Sequence, residues 1–333
     1  MTYLLAADVG GTKTDVAIFD AERGFRRPVR EATMASREYA TFSQLLAAFL
    51  QAGHEQPDHA CFGVAGPVRR NRARLTNLPW EIAGPDIGRE FGLGRVEVIN
   101  DLVAVASSIP HLTGDDLVVL QRGNRDEQGA MGVVAPGTGL GVAFCVREQD
   151  CYLVCPSEGG HAGFSPGNLD EVELLRFLLA TGGNTSFESL CSGSGLPNIY
   201  RFLIDTGRFP PSARLTEKLS ASSDPTPLIV QSALDPAERC PLCHETVRLF
   251  TGILAEICGN LAVTVLSTGG IFIGGGIPPR ILPLLEHEHF LDRFKCKGKM
   301  SGLLATIPVA VIINPKAALM GAAAYGLRVW HDA

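Results

Sequence analysis

Positive charge is scarce in this 333-residue chain, which holds 29 lysines and arginines against 35 aspartates and glutamates. The formal net charge is -6, and charged residues make up only 19% of the sequence. We therefore expect no role in binding nucleic acid or a membrane surface, because both are negatively charged. An anionic substrate would have to be held locally, by backbone amides or by a metal ion.

A disulfide framework is also missing, because the nine cysteines are odd in number and scattered. The sequence thus predicts reduced thiols and a cytoplasmic location. No signal peptide is expected, since the first apolar run is very short and no basic residues precede it. The uncharged residues 257–279 are long enough to cross a membrane, but their glycines favour a buried helix followed by a buried strand.

Two common nucleotide-binding signatures are absent. The chain contains no P-loop pattern, which is two glycines separated by four residues and followed by Lys and then Ser or Thr. Residues 137–141 read GTGLG and superficially resemble a dinucleotide fingerprint. That fingerprint opens a helix, whereas residues 142–146 continue as an apolar strand, so a Rossmann site is not expected.

Two segments instead repeat one pattern of apolar strand, Gly/Thr turn and second apolar strand, at residues 4–19 and 131–144. Glycines let a backbone approach a ligand closely and direct several N–H groups toward it. We expect the two hairpins to face each other and clamp a polyphosphate, although a plain hairpin turn is the alternative. Asp8 beside such a turn suits Mg²⁺, bound directly or through water. Lys13 either adds positive charge there or points to solvent.

The apolar periodicity predicts two α/β domains, each with a mixed sheet and a hairpin at its start. Expected strands are 3–9, 14–19, 28–35, 59–64, 95–99, 116–121, 131–135, 141–146, 270–274 and 308–313. Expected helices are 41–52, 101–108, 170–180, 188–194, 195–205, 243–266, a start at 277–285 and 315–330. Residues 206–240 are rich in Pro, Ser and Thr and are predicted to be loop with one short helix. Residues between the domains should line a cleft.

Several polar residues follow strands and are candidates for chemistry. Asp101 lies between a strand and a helix and is either an N-cap or a general base. The neighbouring Asn100 can donate hydrogen bonds to a sugar and accept them from it. Glu158 and His161 suit a polyol better than a metal, because no third ligand lies at the usual spacing. Glu188 offers another carboxylate or is a surface helix acid.

Three further motifs have a structural interpretation beside or instead of a functional one. Gly274, Gly275 and Gly276 either pack a strand against a helix or form a floor for a base or ribose. The segment 240–244, CPLCH, resembles half a zinc site without its second half, so a helix start is favoured. We expect the basic run 69–74 to be a solvated hairpin turn, and residues 76–80 to form a loop on the sugar side of the cleft.

As an ordered set, these motifs make the chain resemble the bacterial-type glucokinases of the sugar kinase, Hsp70 and actin superfamily. They are ADVGGT (7–12), GVAGPV (63–68), TNLPW (76–80), INDLVAVA (99–106), GTGLGVA (137–143), PSEGGHAGF (156–164), ESLCSGSGL (188–196), GGIFIGGGIPPR (269–280) and NPKAALMGAAAYG (314–326).

The resemblance implies two ribonuclease H-like, actin-like ATPase domains: a small one of residues 1–112 plus 315–333 and a large one of 113–314. It implies phosphorylation of glucose at the 6-hydroxyl by MgATP in a homodimer, with Asp101 as the base. It implies sugar binding by Asn100, Asp101, Glu158, His161 and Glu188. It also implies nucleotide binding by Ala7, Asp8, Val9, Gly10, Gly11, Thr12, Gly137, Thr138 and Gly275.

Two alternatives stay open in the sequence. The polar groups are compatible with another hexose or an amino sugar, and the phosphoryl donor could be ADP or polyphosphate. A non-catalytic sugar sensor on the same fold is the other alternative. Lys13 departs from the Asn of many glucokinases and matches the related repressor/open-reading-frame/kinase (ROK) group. That group's cysteine cluster is missing from residues 165–190, which places the chain outside it.

Overall fold

Strands and short helices alternate along the first third of the chain. The structure is a computed structural model that describes residues 2–75, 78–210, 212–237 and 240–331. Its first elements are β1 (Tyr3–Val9), β2 (Lys13–Asp20), β3 (Arg30–Ala35), α1 (Phe42–Gln51), β4 (His59–Val64), β5 (Val68–Arg69), β6 (Arg72–Arg74), β7 (Glu81–Ala83), α2 (Gly84–Phe91), β8 (Arg95–Asn100) and α3 (Asp101–Ser108). Every strand and helix predicted in this region is confirmed, and β5 to β7 and α2 are additional.

The rest of the chain is richer in helix. The elements are β9 (Leu117–Gln121), β10 (Met131–Pro136), β11 (Leu140–Glu148), β12 (Cys151–Ser157), α4 (Leu169–Ala180), α5 (Leu196–Asp205), α6 (Ala213–Ala221), α7 (Thr226–Leu234), α8 (Pro241–Thr264), β13 (Gly270–Ile273), α9 (Leu282–Leu285), α10 (Glu288–Lys295), α11 (Ser301–Leu304), β14 (Val309–Ile312) and α12 (Ala317–His331).

Two local predictions in this part are wrong. The segment 188–194 forms turns instead of a short helix, because its backbone is hydrogen-bonded elsewhere: Glu188 N–H donates to Gly160 O and Gly193 N–H to Gly137 O. The segment 206–240 contains two helices, α6 and α7, instead of one. Hydroxyl groups in this segment are compatible with helix because they can donate hydrogen bonds to carbonyls one helical turn earlier. The Thr216 hydroxyl does so to the Ser212 carbonyl.

The chain divides into two units. Unit 1 comprises Met1–Asp116, Glu148–Pro156 and Asn314–Ala333, and unit 2 comprises Leu117–Arg147 and Ser157–Ile313. The sheet of unit 1 has the strand order β3-β2-β1-β4-β8. Strands β1, β4 and β8 are parallel, while β1 and β2 form the antiparallel hairpin.

Alternate residues of β1 pack on opposite faces of this sheet, as the two-residue period of a strand requires. Leu5 and Ala7 belong to a core cluster with α1, and Leu4 and Ala6 belong to a cluster with α3 and α12. Helix α12 lies directly against α3, and a Cβ atom added at Gly321 would come within 1.8 Å of the Ala104 carbonyl oxygen. The C-terminal helix is therefore an integral part of unit 1.

Unit 2 surrounds the long helix α8. Its strands follow the order β11-β10-β13-β14-β9. Helix α8 has the length and mean hydropathy of a membrane-spanning helix, but 83% of its most apolar window is buried inside the protein. Helices α5, α7 and α10 pack against it. It is the core helix of this unit, in agreement with the buried helix expected from the sequence.

Candidate active site

Two aspartates face each other near the carboxyl end of β1. The register of β1 and β2 pairs Asp8 with Asp15. Because side chains alternate along a strand, both lie on the face that carries Leu4 and Ala6 and that α3 covers. Strand β8 is parallel to β1 in this sheet and leads directly into α3. This topology brings Asp101, the first residue of α3, to the same edge and face as Asp8.

The buried Asp15 is held by two side chains from neighbouring positions in the sheet. Lys13 Nζ contacts Asp15 Oδ2 at 2.8 Å, and the Thr33 hydroxyl donates to Asp15 Oδ1. The side chain of Lys13 is 58% exposed, whereas that of Asp15 is only 5% exposed. Lys13 therefore supplies positive charge at the edge of an aspartate cluster. The sequence alone leaves this point open.

Asp8 has a strongly shifted protonation equilibrium. Burial, followed by the negative charges of Asp101 and Asp15, raises the pKa of Asp8 to about 7, and Lys13 acts in the opposite direction. Part of Asp8 still reaches the protein surface. A cation at that surface would favour the ionised carboxylate, because opposite charge offsets both burial and repulsion.

Asn100 and Asp101 occupy the junction between β8 and α3. Asn100 is the N-cap, since its Oδ1 accepts from the Leu102 N–H at 2.9 Å. Its Nδ2 donates to the Gly66 carbonyl at 3.1 Å. Asp101 Oδ1 also accepts from the Leu102 N–H, at 2.9 Å. The N-cap role considered for Asp101 thus belongs to Asn100, and Asp101 is partly exposed on the first turn of α3.

The turn of the first hairpin is braced by a residue that the sequence gives no reason to select. The buried Ser36, just after β3, donates its hydroxyl to the Gly10 carbonyl at 2.8 Å, and its N–H to the Thr12 carbonyl at 3.0 Å. The Gly10 N–H donates to the Lys13 carbonyl at 3.0 Å, inside the turn. Gly10 is therefore a turn-forming residue, while Thr12 is exposed at the tip. Ala7 and Val9, by contrast, bury their side chains completely.

The turn of the second hairpin is likewise fixed from within its own unit. Gly137 N–H donates to the Gly139 carbonyl at 2.8 Å, and the Gly137 carbonyl accepts from Gly193 N–H at 2.7 Å. Glu188 Oε2 accepts from the Leu140 N–H at 2.9 Å, at the first residue of β11. The exposed Thr138 lies at the tip of this turn.

Three of the predicted sugar-binding residues lie together in unit 2. His161 Nδ1 is 3.7 Å from Glu188 Oε1, and His161 Nε2 is 3.9 Å from Glu158 Oε2. The side chains of Glu158, His161 and Glu188 are 80%, 56% and 30% exposed, in that order. The imidazole therefore stands between two carboxylates of different depth. Such a cluster presents both donors and acceptors to hydroxyl groups.

The end of β13 meets the second hairpin at Gly275. This glycine has a φ of +86°, and a Cβ atom there would come within 2.4 Å of the Pro136 carbonyl oxygen, so only glycine fits. A pocket of about 460 Å³ lies in the same unit. Its lining includes Ile277 and Arg280, which follow the glycines, and residues of α7.

The remaining sequence motifs form a surface turn and a helix start, or lie partly outside the described residues. Thr76 and Asn77 of the predicted sugar-side loop lie outside the described residues. The basic run 69–74 forms the β5–β6 turn, with its arginines exposed. In the described part of the chain, no group of three His, Cys, Asp or Glu side chains is arranged to hold a metal ion. Cys240 and Pro241 instead form the start of α8.

This architecture, with a Gly-turn hairpin in each unit and polar residues at strand ends, is that of a sugar kinase with the actin-like ATPase fold. The chain belongs to the glucokinase family, whose profile matches residues 5–328. It is 36% identical over 344 residues to a glucokinase of Trichormus variabilis, covering 99% of this chain and 100% of the relative. A glucokinase of Saccharophagus degradans is 33% identical, covering 96% of this chain and 97% of the relative.

Solved structures agree with this assignment. The crystal structure of glucokinase from an Antarctic psychrotroph has a TM-score of 0.83 at 30% identity and covers 100% of both chains. A Streptomyces griseus ROK family glucokinase in complex with glucose and AMPPNP has a TM-score of 0.61 at 19% identity. That match covers 98% of this chain and 99% of the other, and at this identity it supports the fold alone.

Proposed function

We propose that this chain transfers the γ-phosphoryl group of ATP to the 6-hydroxyl group of glucose. The proposal rests on one observation. The partly exposed Asp101 lies at the same edge of the sheet as the aspartates of the first hairpin. Membership of the glucokinase family supports the same reaction. The residues proposed to bind the sugar are Asn100, Asp101, Glu158, His161 and Glu188.

Asp101 acts as the general base in this proposal. Its Oδ1 is fixed by the Leu102 N–H, so the carboxylate keeps one orientation at the start of α3. It accepts the proton of the attacking hydroxyl, a role that typically contributes about 10²–10⁴-fold to the rate. Asn100 supports this geometry, because it caps the same helix and is anchored to Gly66.

Glu188 joins the proposed sugar site to the second hairpin. One carboxylate oxygen accepts from the Leu140 N–H, while the other lies beside His161. A sugar hydroxyl bound to Glu188 is therefore held by a side chain that is itself hydrogen-bonded to the second hairpin. The arrangement orients the sugar relative to Thr138 at the tip of that hairpin.

The phosphates of ATP would be held by the backbone at the two hairpin tips. Gly10 and Gly137 shape the turns, and Gly11, Thr12 and Thr138 are the proposed phosphate contacts. The nucleoside would lie near Gly275 in the pocket of about 460 Å³, where Arg280 provides a cation. A Cβ atom at Gly137 would meet nothing within 4 Å, which leaves room for a ligand there.

Mg²⁺ fits the chemistry of the Asp8 cluster, because burial and then the negative charges of Asp101 and Asp15 raise the pKa of Asp8, and a cation there would offset both effects. Asp8 would hold the ion through water, since no group of three metal-binding side chains is found among the described residues. When bound, Mg²⁺ neutralises charge on the phosphates. Asp15 and Lys13 then set the charge around Asp8.

We also propose a cytoplasmic homodimer. The cytoplasmic location is supported by the nine cysteines, all of which carry free thiols. The dimer is supported by the family resemblance, and light scattering of the purified protein tests it.

A substrate panel tests the proposed reaction. The purified chain is assayed with glucose, mannose and glucosamine, each with ATP, ADP or polyphosphate as the donor and with Mg²⁺. We expect the highest kcat/KM with glucose and ATP. Saturable glucose binding without phosphoryl transfer from any donor would identify a sugar sensor instead.

A further inference from the structure

Two cysteines outside the proposed site stand at the start of α8. Cys240 is the N-cap residue and Cys243 lies three residues later, in the first turn. Cys240 is partly exposed, whereas Cys243 is buried. Residues three apart in a helical turn have Cα atoms about 5 Å apart, which is within the range that a disulfide spans.

A buried hydroxyl lies beside this pair. Tyr200 of α5 is 7% exposed, and its Oη has no hydrogen-bond partner within the described residues. Burial raises the pKa of Tyr200 to about 12, with smaller contributions from the neighbouring Cys243 and Cys240. The hydroxyl therefore stays protonated at neutral pH.

We propose that Cys240 and Cys243 are a peroxide-sensitive dithiol that closes reversibly to a disulfide. Cys240 carries the more accessible sulfur, and a cysteine reacts with peroxide as its thiolate. This thiolate attacks a hydroperoxide, which gives a sulfenic acid on Cys240 and releases water or an alcohol. Cys243 then attacks that sulfur, the S–S bond forms, and the sulfenic oxygen leaves as water. Two electrons pass to the peroxide, and an external dithiol restores both thiols.

Two other pairs of cysteines lack this combination of exposure and proximity. Cys151 and Cys155 are both partly exposed, but they lie four residues apart on β12, or about 13 Å along a strand. Cys191 and Cys258 are close enough to interact electrostatically, but both are completely buried. The first pair is therefore a control for exposure, and the second is a control for proximity.

Differential alkylation of the folded, full-length protein tests the proposal. The reduced protein is treated with hydrogen peroxide, free thiols are blocked, disulfides are reduced and the released thiols are labelled with a second reagent. We expect the second label on Cys240 and Cys243 together, and its loss when dithiothreitol precedes the blocking step. In the C240S variant, Cys243 should remain a free thiol.

The controls decide between a specific dithiol and general oxidation. Cys151 should acquire oxidised products without pairing to Cys155, and Cys191 and Cys258 should stay reduced. Equal modification of Cys240 and Cys151 with no disulfide would overturn the proposal, as would a disulfide that forms only in the urea-unfolded chain. Labelling does not depend on catalysis, so the result stands apart from the kinase proposal.

Discussion

Asn100 and Asp101 share one hydrogen-bond donor, the backbone N–H of Leu102, which lies 2.9 Å from an Oδ1 of each side chain. The helix cap and the proposed base are therefore one structural unit. Asn100 contributes the cap and an anchor to Gly66, and the orientation of Asp101 depends on the same first turn of α3.

Replacing Asn100 by Ala should lower both stability and sugar affinity. Loss of an N-cap costs about 0.5–2 kcal/mol. Because Asp101 would then be less firmly oriented, the KM for glucose should rise. Asn168→Ala is the matched control, because Asn168 caps α4 in the same way, with its Oδ1 2.9 Å from the Glu171 N–H. Thermal unfolding and steady-state kinetics of both variants check this. Equal KM values in the two variants would show that Asn100 is only a cap.

Glu188 and Glu158 should contribute unequally to sugar binding. Glu188 is the deeper of the two and is fixed by the Leu140 N–H, whereas Glu158 is 80% exposed. Glu188→Gln should raise the Kd for glucose by about tenfold or more, because a charged hydrogen bond is lost. Glu158→Gln should have a smaller effect. Calorimetric titration with glucose measures both, and the reverse order would argue against the role given to Glu188.

Ser36 should support nucleotide binding without touching the nucleotide. Ser36→Ala removes the hydroxyl bond to the partly buried Gly10 carbonyl and the contact with the buried Thr14 hydroxyl, and leaves both groups without that partner. We expect a loss of about 1–3 kcal/mol in stability and a higher KM for ATP. Ser43→Ala is the control, since Ser43 bonds Glu90 at an exposed position. An unchanged KM for ATP in Ser36→Ala would separate Ser36 from the hairpin's function.

Asp8 should make the ligand-free protein less stable as the pH rises. Its pKa is raised from 3.8 to about 7, so the folded state binds the proton more tightly than the unfolded state between those values. Stability is therefore lost as pH increases through this window. Asp8→Asn removes the penalty, so its melting temperature should exceed that of the wild type at pH 8. The difference should shrink toward pH 4, measured without nucleotide or added Mg²⁺.

A matched variant completes that test. Asp86→Asn alters an aspartate that is 47% exposed and paired with Arg72 and Arg89 at the surface. Its melting temperature should stay close to that of the wild type over the same pH range. A constant offset between Asp8→Asn and wild type at every pH would contradict the raised pKa.

The sequence predicts the strands and the strand-to-helix junction that form the sheet edge of the proposed site. These are local patterns, whereas the strand order β1-β4-β8, which brings Asp8 and Asp101 to one face, is known only from the structure. Family motifs, rather than periodicity, identify Glu158, His161 and Glu188 in the sequence. Their clustering is seen only in the folded chain, where His161 lies within 4 Å of both carboxylates.

Other features depend on contacts between distant parts of the chain. Ser36 reaches Gly10 only because the order β3-β2-β1 places the end of β3 beside the first turn. A sequence pattern does not determine whether the Lys13 side chain contacts the protein or points to solvent. In the structure it contacts Asp15. Helix α7, which lines the pocket, lies in a Pro-, Ser- and Thr-rich segment. The composition of that segment favours loop and does not indicate this helix.

The most direct test of the central claim is a side-by-side comparison of the wild type and Asp101→Asn. Glucose affinity is measured by calorimetry, and glucose 6-phosphate formation from ATP is measured by a coupled assay. We predict that glucose binding is retained while turnover falls by about 10²-fold or more, since the base is lost and the shape is kept. Turnover near the wild-type value would contradict the role of Asp101 and the mechanism built on it.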